Sequence, residues 1–236
     1  MPERTVPVLP DVTRPDAGAP MFSTWRVGTP ERQRAVADAI ADTWDSRPWP
    51  TPDLLGYAVY ASTDGDTLLH HSQWSDESAY HAFVRNHRQE RNDAIDAAVP
   101  GIERVGLHTY ELYRHTKQPG DRRVPGCIVV VDAVFDGPGP ERQRAWVDAV
   151  FEALGGEEIP HPGGISGNFF VSTDGTRVLN YAEWESEEAH VRALASPGEG
   201  IGSGSAAWQR VQNFPGLRRD AGGVRRYRLA WSGFRR

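Results

Sequence analysis

The hexapeptide PERQRA occurs twice, at Pro30–Ala35 and again at Pro140–Ala145. The same offset of 110 continues without a gap through Asp38/Asp148, Pro50/Pro160 and Pro52/Pro162. It holds for STDG at Ser62–Gly65 and Ser172–Gly175, then for Leu69/Leu179, Trp74/Trp184, Glu77/Glu187 and Ala79/Ala189. Eighteen of the fifty pairs from 30 to 79 are identical, where unrelated sequence gives about three. The chain is therefore two copies of one unit. Working outward, residues 1–20 read as a proline-rich extended arm, 21–115 as the first repeat, 116–126 as a linker and 127–236 as the second repeat.

Each copy reads as β-α-β-β-α-β. A short run rich in β-branched and aromatic residues, Met21–Val27 or Ile128–Phe135, predicts the first strand. Thr29 or Gly139 then precedes a helix with proline at its first position. Val36, Ile40 and Trp44 recur at helical spacing, as do Trp146, Val150 and Leu154. Two strands joined through Thr-Asp-Gly follow, Leu55–Ser62 with Thr67–Trp74 and Ile165–Ser172 with Arg177–Trp184. A second helix opens at Ser75-Asp76-Glu77 or Ser186-Glu187-Glu188. A last strand near Val105–Tyr113 or Val224–Trp231 closes the unit. The expected class is α+β, built from two ferredoxin-like repeats.

Composition narrows the chemistry. Hydrophobic residues make up 39% of 236 and aromatics 10%, enough for a real core. No run approaches the ~20 apolar residues of a membrane span, and the N-terminal twenty residues hold no apolar signal core. A cytoplasmic location with no membrane partner is expected. A net charge of −6 without a basic stripe argues against nucleic acid. Cys127 is the sole cysteine, which excludes a disulfide framework and a Cys-rich zinc site. No histidine pair has ligand spacing with a carboxylate, so no metal is expected. Lys117 is the sole lysine and lies in no core element, which removes Schiff-base mechanisms.

The third strand of each copy carries the most information. Side chains alternate along a strand, so His70, Ser72 and Trp74 share one face, as do Asn180, Ala182 and Trp184. An indole four residues after a hydrogen-bonding group can clamp a flat aromatic ligand; on spacing alone, a packed core with locally satisfied polar groups is the commoner reading of the same residues. The copies differ at the second helix. The first runs from Ser75 to about Ala98, whereas Ser196–Gly204 in the second holds a proline and four glycines. That break, read as a flap, points to the second repeat as the main site. Its GIGSG segment (Gly200–Gly204) follows a helix rather than a strand and reads as a helix break, not a dinucleotide loop.

The segment LNYAEWESEEAHVRALASPG (Leu179–Gly198) resembles the strand-to-helix stretch of antibiotic biosynthesis monooxygenases, ferredoxin-like proteins that form dimeric α+β barrels. The resemblance covers both copies and is clearest in the second. It implies that the two tandem repeats form an intrachain dimeric α+β barrel. In the anthrone oxygenase branch an electron-rich substrate anion meets O2 directly, without a cofactor. That branch carries an Asn-x-x-x-Trp pair, matched by Asn180 and Trp184, and a Tyr six residues after the Trp, matched in the first copy by Tyr80. The first copy has His70 in place of the Asn, and the second has His190 in place of the Tyr.

The resemblance thus implies a catalytic set of Asn180, Trp184, His190, His70 and Tyr80. Asn180 would hold a carbonyl or enolate oxygen, and His190, or His70 with Tyr80, would take the phenolic proton. Trp74, Trp25, Tyr57 and Phe169 would bind the substrate rings. The duplicated length is also similar to that of oxygenases that open the B ring of angucyclinones. This admits reduced flavin (FADH2 or FMNH2) as a diffusible co-substrate, with a flavin reductase as partner, and no tightly bound cofactor. The implied activity is an oxygenase that tailors a small polycyclic aromatic polyketide with O2 and no metal, by quinone formation or oxidative ring cleavage. A homodimer is compatible with this. A polyketide cyclase and a non-catalytic ligand-binding protein of the same fold stay open as alternatives. Haem degradation is disfavoured, because the first strands, MFSTWRV and IVVVDAVF, contain no Asn.

Overall fold

PERQ and STDG recur together because they touch. In the computed structural model, which describes residues 7–155, 161–195 and 201–235, both PERQRA segments start a helix. These are α1 (Pro30–Asp45) and α4 (Pro140–Ala153). The side-chain amide of Gln33 donates to the carbonyls of Ser62 at 3.0 Å and Thr67 at 2.8 Å. Gln143 donates in the same way to Ser172 at 3.2 Å and Arg177 at 2.6 Å. Each buried amide thus ties a helix to both sides of a hairpin turn, adding to the backbone bond that the turn glycine already gives the serine carbonyl, Gly65 N–H to Ser62 at 3.1 Å and Gly175 N–H to Ser172 at 3.0 Å. The turn glycines, Gly65 and Gly175, have φ of +79° and +76°, which side-chain-bearing residues adopt at a cost. A Cβ on Gly65 would also lie 2.5 Å from the Pro30 ring. One cap differs: Thr29 accepts from the Arg32 N–H at 3.3 Å, whereas Gly139 has no side chain to cap α4.

The chain divides into two compact units, Met1–Thr109 with Tyr227–Arg236, and Tyr110–Arg226. In the first, the strands β1 (Ala19–Arg26), β2 (Leu54–Ser62), β3 (Thr67–Trp74) and β4 (Glu103–Lys117) form an antiparallel sheet. Their order is β4-β1-β3-β2, the ferredoxin-like arrangement expected. Val36 and Ile40 of α1 are fully buried and pack with Val59, Leu68 and Trp25 of the sheet. The second helix spans Glu77 to Ala98 as expected, but in three pieces. These are α2 (Glu77–Phe83), a π-helical turn (Val84–Arg88) and α3 (Gln89–Ala98). Residues Tyr227–Phe234 of the last strand pair with β2.

The second unit repeats the plan with β5 (Cys127–Val134), α4, β6 (Gly164–Ser172), β7 (Arg177–Trp184), α5 (Glu187–Ala195), α6 (Ala206–Gln212) and the start of β8 (Gly223–Phe234). Its sheet order β5-β7-β6 matches that of the first unit, and Tyr110–Lys117 of β4 pairs with β6. Trp74 and Trp184 occupy equivalent places. Each ends its strand, opposite the first residue of the unit's first strand, Ala19 or Cys127. The strand β4 continues through Thr116 and Lys117, where a linker was expected. Of the glycine-rich flap expected at Ser196–Gly204, residues 196–200 lie outside the described residues.

The described part of the N-terminal arm lies along the first unit. Gln73 donates to the Asp11 carbonyl at 2.7 Å, and Arg14 donates to the Leu55 carbonyl at 3.2 Å. Among the described residues no helix is long and apolar enough to cross a membrane.

Candidate active site

A cavity of about 240 Å3 opens in the first unit between its sheet and its second helix. The alternation of β3 directs His70, Ser72 and Trp74 into it, while β1 and β2 add Trp25 and Tyr57. The helices contribute Trp44, Tyr80 and Phe83. Five residues expected from the sequence therefore meet here: His70, Tyr80, Trp74, Trp25 and Tyr57.

The centre of the cavity is a hydrogen-bonded pair. The Tyr57 hydroxyl and His70 Nδ1 lie 2.6 Å apart, and the Trp25 ring sits 4.2 Å from the imidazole. Burial pushes the Tyr57 phenol well above its ordinary value, against a smaller opposing pull from Arg104 and Arg88. Burial, aided by Arg104, drives His70 down to about 3. Both groups are therefore neutral near pH 7. A phenol is the better donor and an imine nitrogen the better acceptor, so Tyr57 donates to Nδ1 and the imidazole proton sits on Nε2. His70 Nε2 is buried and has no hydrogen-bond partner. This corrects the expectation that His70 takes a phenolic proton. An imidazole held neutral in the cavity wall, with its Nε2–H unpartnered, is a potential donor for a substrate oxygen. Trp74 is fixed by a bond from its indole N–H to Ser72 Oγ at 3.0 Å. Tyr80 meets the Trp74 ring edge-on at 5.6 Å, and burial raises its phenol too.

The sequence reading missed the far wall. The π-helical turn adds a residue to the helix, as such turns often do beside functional sites. It is followed by Arg91, Asn92 and Ile95 on the cavity side. Arg91 lies 4.9 Å over the Trp44 ring and donates to the Pro48 carbonyl at 3.0 Å. Arg104 of β4 lies 4.4 Å over Trp25 and pairs with Asp96 at 2.9 Å.

The second unit uses the same frame differently. Asn180 is half-buried, with its Oδ1 unpartnered. Trp184 is buried with Cys127, Ala189 and Ala193. Arg226 donates to His190 Nδ1 at 3.0 Å. Burial and that arginine push His190 down to about 4. The expected role of His190 was that of a base, and in this arrangement its Nδ1 lone pair is occupied by Arg226. Phe169, expected to bind substrate, is a core residue packed 5.2 Å from Phe151 of α4. At the repeat offset, Gly167, Leu154 and Ala193 stand where Tyr57, Trp44 and Phe83 wall the first cavity. The structure therefore moves the candidate site from the second repeat to the first. The signal was available in the aligned copies: three aromatic residues are present in one and absent from the other.

Residues 128–198 match the model of the family described as antibiotic biosynthesis monooxygenase. The matched stretch lies within the second repeat. The duplicated fold recurs in solved structures. An anthrone oxidase-like protein superposes with a TM-score of 0.70 at 16% identity, over 93% of this chain and 94% of that one. A protein of Lactobacillus acidophilus NCFM assigned as a monooxygenase gives 0.53 at 8% identity, over 92% and 96%. Chlorite dismutase of Candidatus Nitrospira defluvii gives 0.51 at 14% identity, over 92% and 93%. At these identities the likeness is one of fold. No curated protein is significantly similar to the chain in sequence. The ferredoxin-like α+β fold is thus present in duplicate, and its second copy matches the monooxygenase family model.

Proposed function

We propose that the protein is an oxygenase that binds a fused-ring aromatic polyketide in the first repeat's cavity and oxidises it with O2. The observation that carries this reading is the Tyr57–His70 pair at 2.6 Å, with His70 Nε2 unpartnered between aromatic walls. Direct reaction of triplet O2 with a closed-shell molecule is spin-forbidden in one step. An anion, however, can give up a single electron first.

The Nε2–H of His70 donates to the substrate's carbonyl oxygen and strengthens that bond as enolate charge develops there. The nearby Arg104 guanidinium adds electrostatic stabilisation in a site of low dielectric. Stabilising the anion lowers the substrate's own pKa, so water at the cavity mouth accepts its proton. The enolate passes one electron to O2, and the radical pair, confined by Trp25 and Trp74, combines to a carbon-bound hydroperoxide. Loss of water then leaves a carbonyl. For an anthrone, one methylene and one O2 become one carbonyl and one water. Both electron pairs come from the substrate, so the reaction as proposed runs without reduced flavin.

The test is turnover of a purified anthrone with and without O2, and with and without added FMNH2 or FADH2, read by mass spectrometry. The expected product gains one oxygen and loses two hydrogens in air alone. Turnover under nitrogen, or a product that has lost only water, overturns the oxygenase reading, the latter in favour of a cyclase.

A further inference from the structure

The walls of the first cavity carry an excess of positive charge that one substrate oxyanion does not explain. Among the residues lining it, Arg88, Arg91 and Arg104 are cationic and none is Asp or Glu, in a chain whose net charge is −6. The three arginines are not equivalent. Arg91 spends both terminal nitrogens on backbone carbonyls, His87 at 3.3 Å and Pro48 at 3.0 Å, and so braces the wall. Arg104 is paired with Asp96, stacks on Trp25 and acts on His70, which places it at the reacting end.

Arg88 differs from both. It stands at the last position of the π-helical turn, exposed, and makes no ion pair among the described residues. Its charge acts on Tyr57 and Tyr80, two tyrosines that line the cavity. A solvated arginine on an ordinary helix face would be unremarkable. Here the extra residue of the π turn ends on it, and it lines the pocket rather than open surface.

We propose that Arg88 is a recognition residue for a carboxylate on the bound ring system, so that the cavity selects carboxylated fused-ring aromatics over neutral ones. This rests on the cavity being the aromatic site, as proposed above, and adds the substrate class. A planar guanidinium matches a carboxylate in a two-point hydrogen bond, and a mouth open to solvent suits a charged substituent better than the dry interior.

The test uses anthraquinone carboxylate and the corresponding carboxamide, which share a ring system and differ in charge. Quenching of tryptophan fluorescence gives Kd for each. The full chain is expected to bind the carboxylate roughly fivefold or more tightly, with the preference shrinking as salt is raised. In Arg88→Gln the two affinities converge to within about twofold, through loss of carboxylate binding alone. Arg88→Lys retains part of the preference, and Arg34→Gln, which removes an exposed arginine outside the cavity, retains all of it. Equal affinities in the unaltered chain, or a preference that survives Arg88→Gln, overturn this inference and leave the oxygenase reading standing. Binding of neither compound overturns both.

Discussion

Tyr57 in the first repeat and Gly167 in the second occupy the same position in their strands, and the two units diverge from there. Where the first has Trp44, Tyr57 and Phe83 around a cavity, the second has Leu154, Gly167 and Ala193. The lost bulk reappears elsewhere. Val36, Ala41 and Val59 of the first core correspond to Trp146, Phe151 and Phe169 in the second. Deleting a buried aromatic side chain without replacement costs about 3–5 kcal/mol. The second unit avoids that cost by carrying its aromatic volume between α4 and the sheet. A duplicated frame can thus keep its hairpins and helix starts unchanged while one copy walls a pocket and the other fills a core.

The strongest way to break this comparison is to disable the two third strands in turn. His70→Ala should lower kcat by about 100- to 1000-fold, the usual loss for one oxyanion donor, while Asn180→Ala should change it less than about twofold. Oxygen-uptake rates of the two folded variants decide it, and the reverse ranking places the site in the second repeat.

Acid should weaken the first unit more than the second. His70 and His71 are both held down to about 3 by burial, whereas their counterparts are Asn180 and Tyr181; the second unit's His190 is held down to about 4. Folded pKa values below the unfolded value of about 6.5 mean that the unfolded chain binds more protons between roughly pH 3 and 6.5. Stability is therefore fully present above that window and lost as pH falls through it, by about 2 kcal/mol per imidazole at pH 5. Hydrogen exchange resolved by peptide at pH 7 and pH 5, corrected for intrinsic rates, should show greater loss of protection in residues 19–109. Equal loss in both units would show that the first unit's histidines do not set the asymmetry.

The shared frame makes the opposite forecast. Gln33→Ala and Gln143→Ala each remove two buried side-chain bonds to hairpin carbonyls, so each should cost about 1–3 kcal/mol by urea unfolding. A large effect in one repeat alone would show that the hairpin ties are not equivalent. The smallest effect sharpens the reading of the second core. A Cβ on Gly167 would sit at ordinary contact distances, 3.5 Å from Phe169 and 3.6 Å from Thr116. Gly167→Ala should therefore be stabilising by about 0.4–1 kcal/mol, chiefly by restricting the unfolded chain. A loss of stability would mean that the strand needs the glycine for closer packing.

The amino-acid sequence by itself determined the duplication, the β-α-β-β-α-β order, the proline-led helix starts, the Thr-Asp-Gly hairpins and the common face of His70, Ser72 and Trp74. These are legible because each depends on neighbours a few residues apart: a cap, a turn glycine, the two-residue period of a strand. Five of the nine expected site residues meet in one cavity for much the same reason: strand alternation directs His70, Trp74, Trp25 and Tyr57 there, and Tyr80 joins them from the helix that follows β3. Only the tertiary structure assembled the first repeat's cavity, because its volume is the sum of side chains from β1, β2, β3, β4 and four helical segments, and no short window contains that sum. It also decided the roles of the histidines. Whether an imidazole accepts a proton or donates a hydrogen bond depends on burial and on partners distant in sequence. Tyr57 and Arg104 fix this for His70, and Arg226 fixes it for His190. Arg88 reaches the cavity through one extra residue in a helical turn, a change of phase that hydrophobic periodicity does not record.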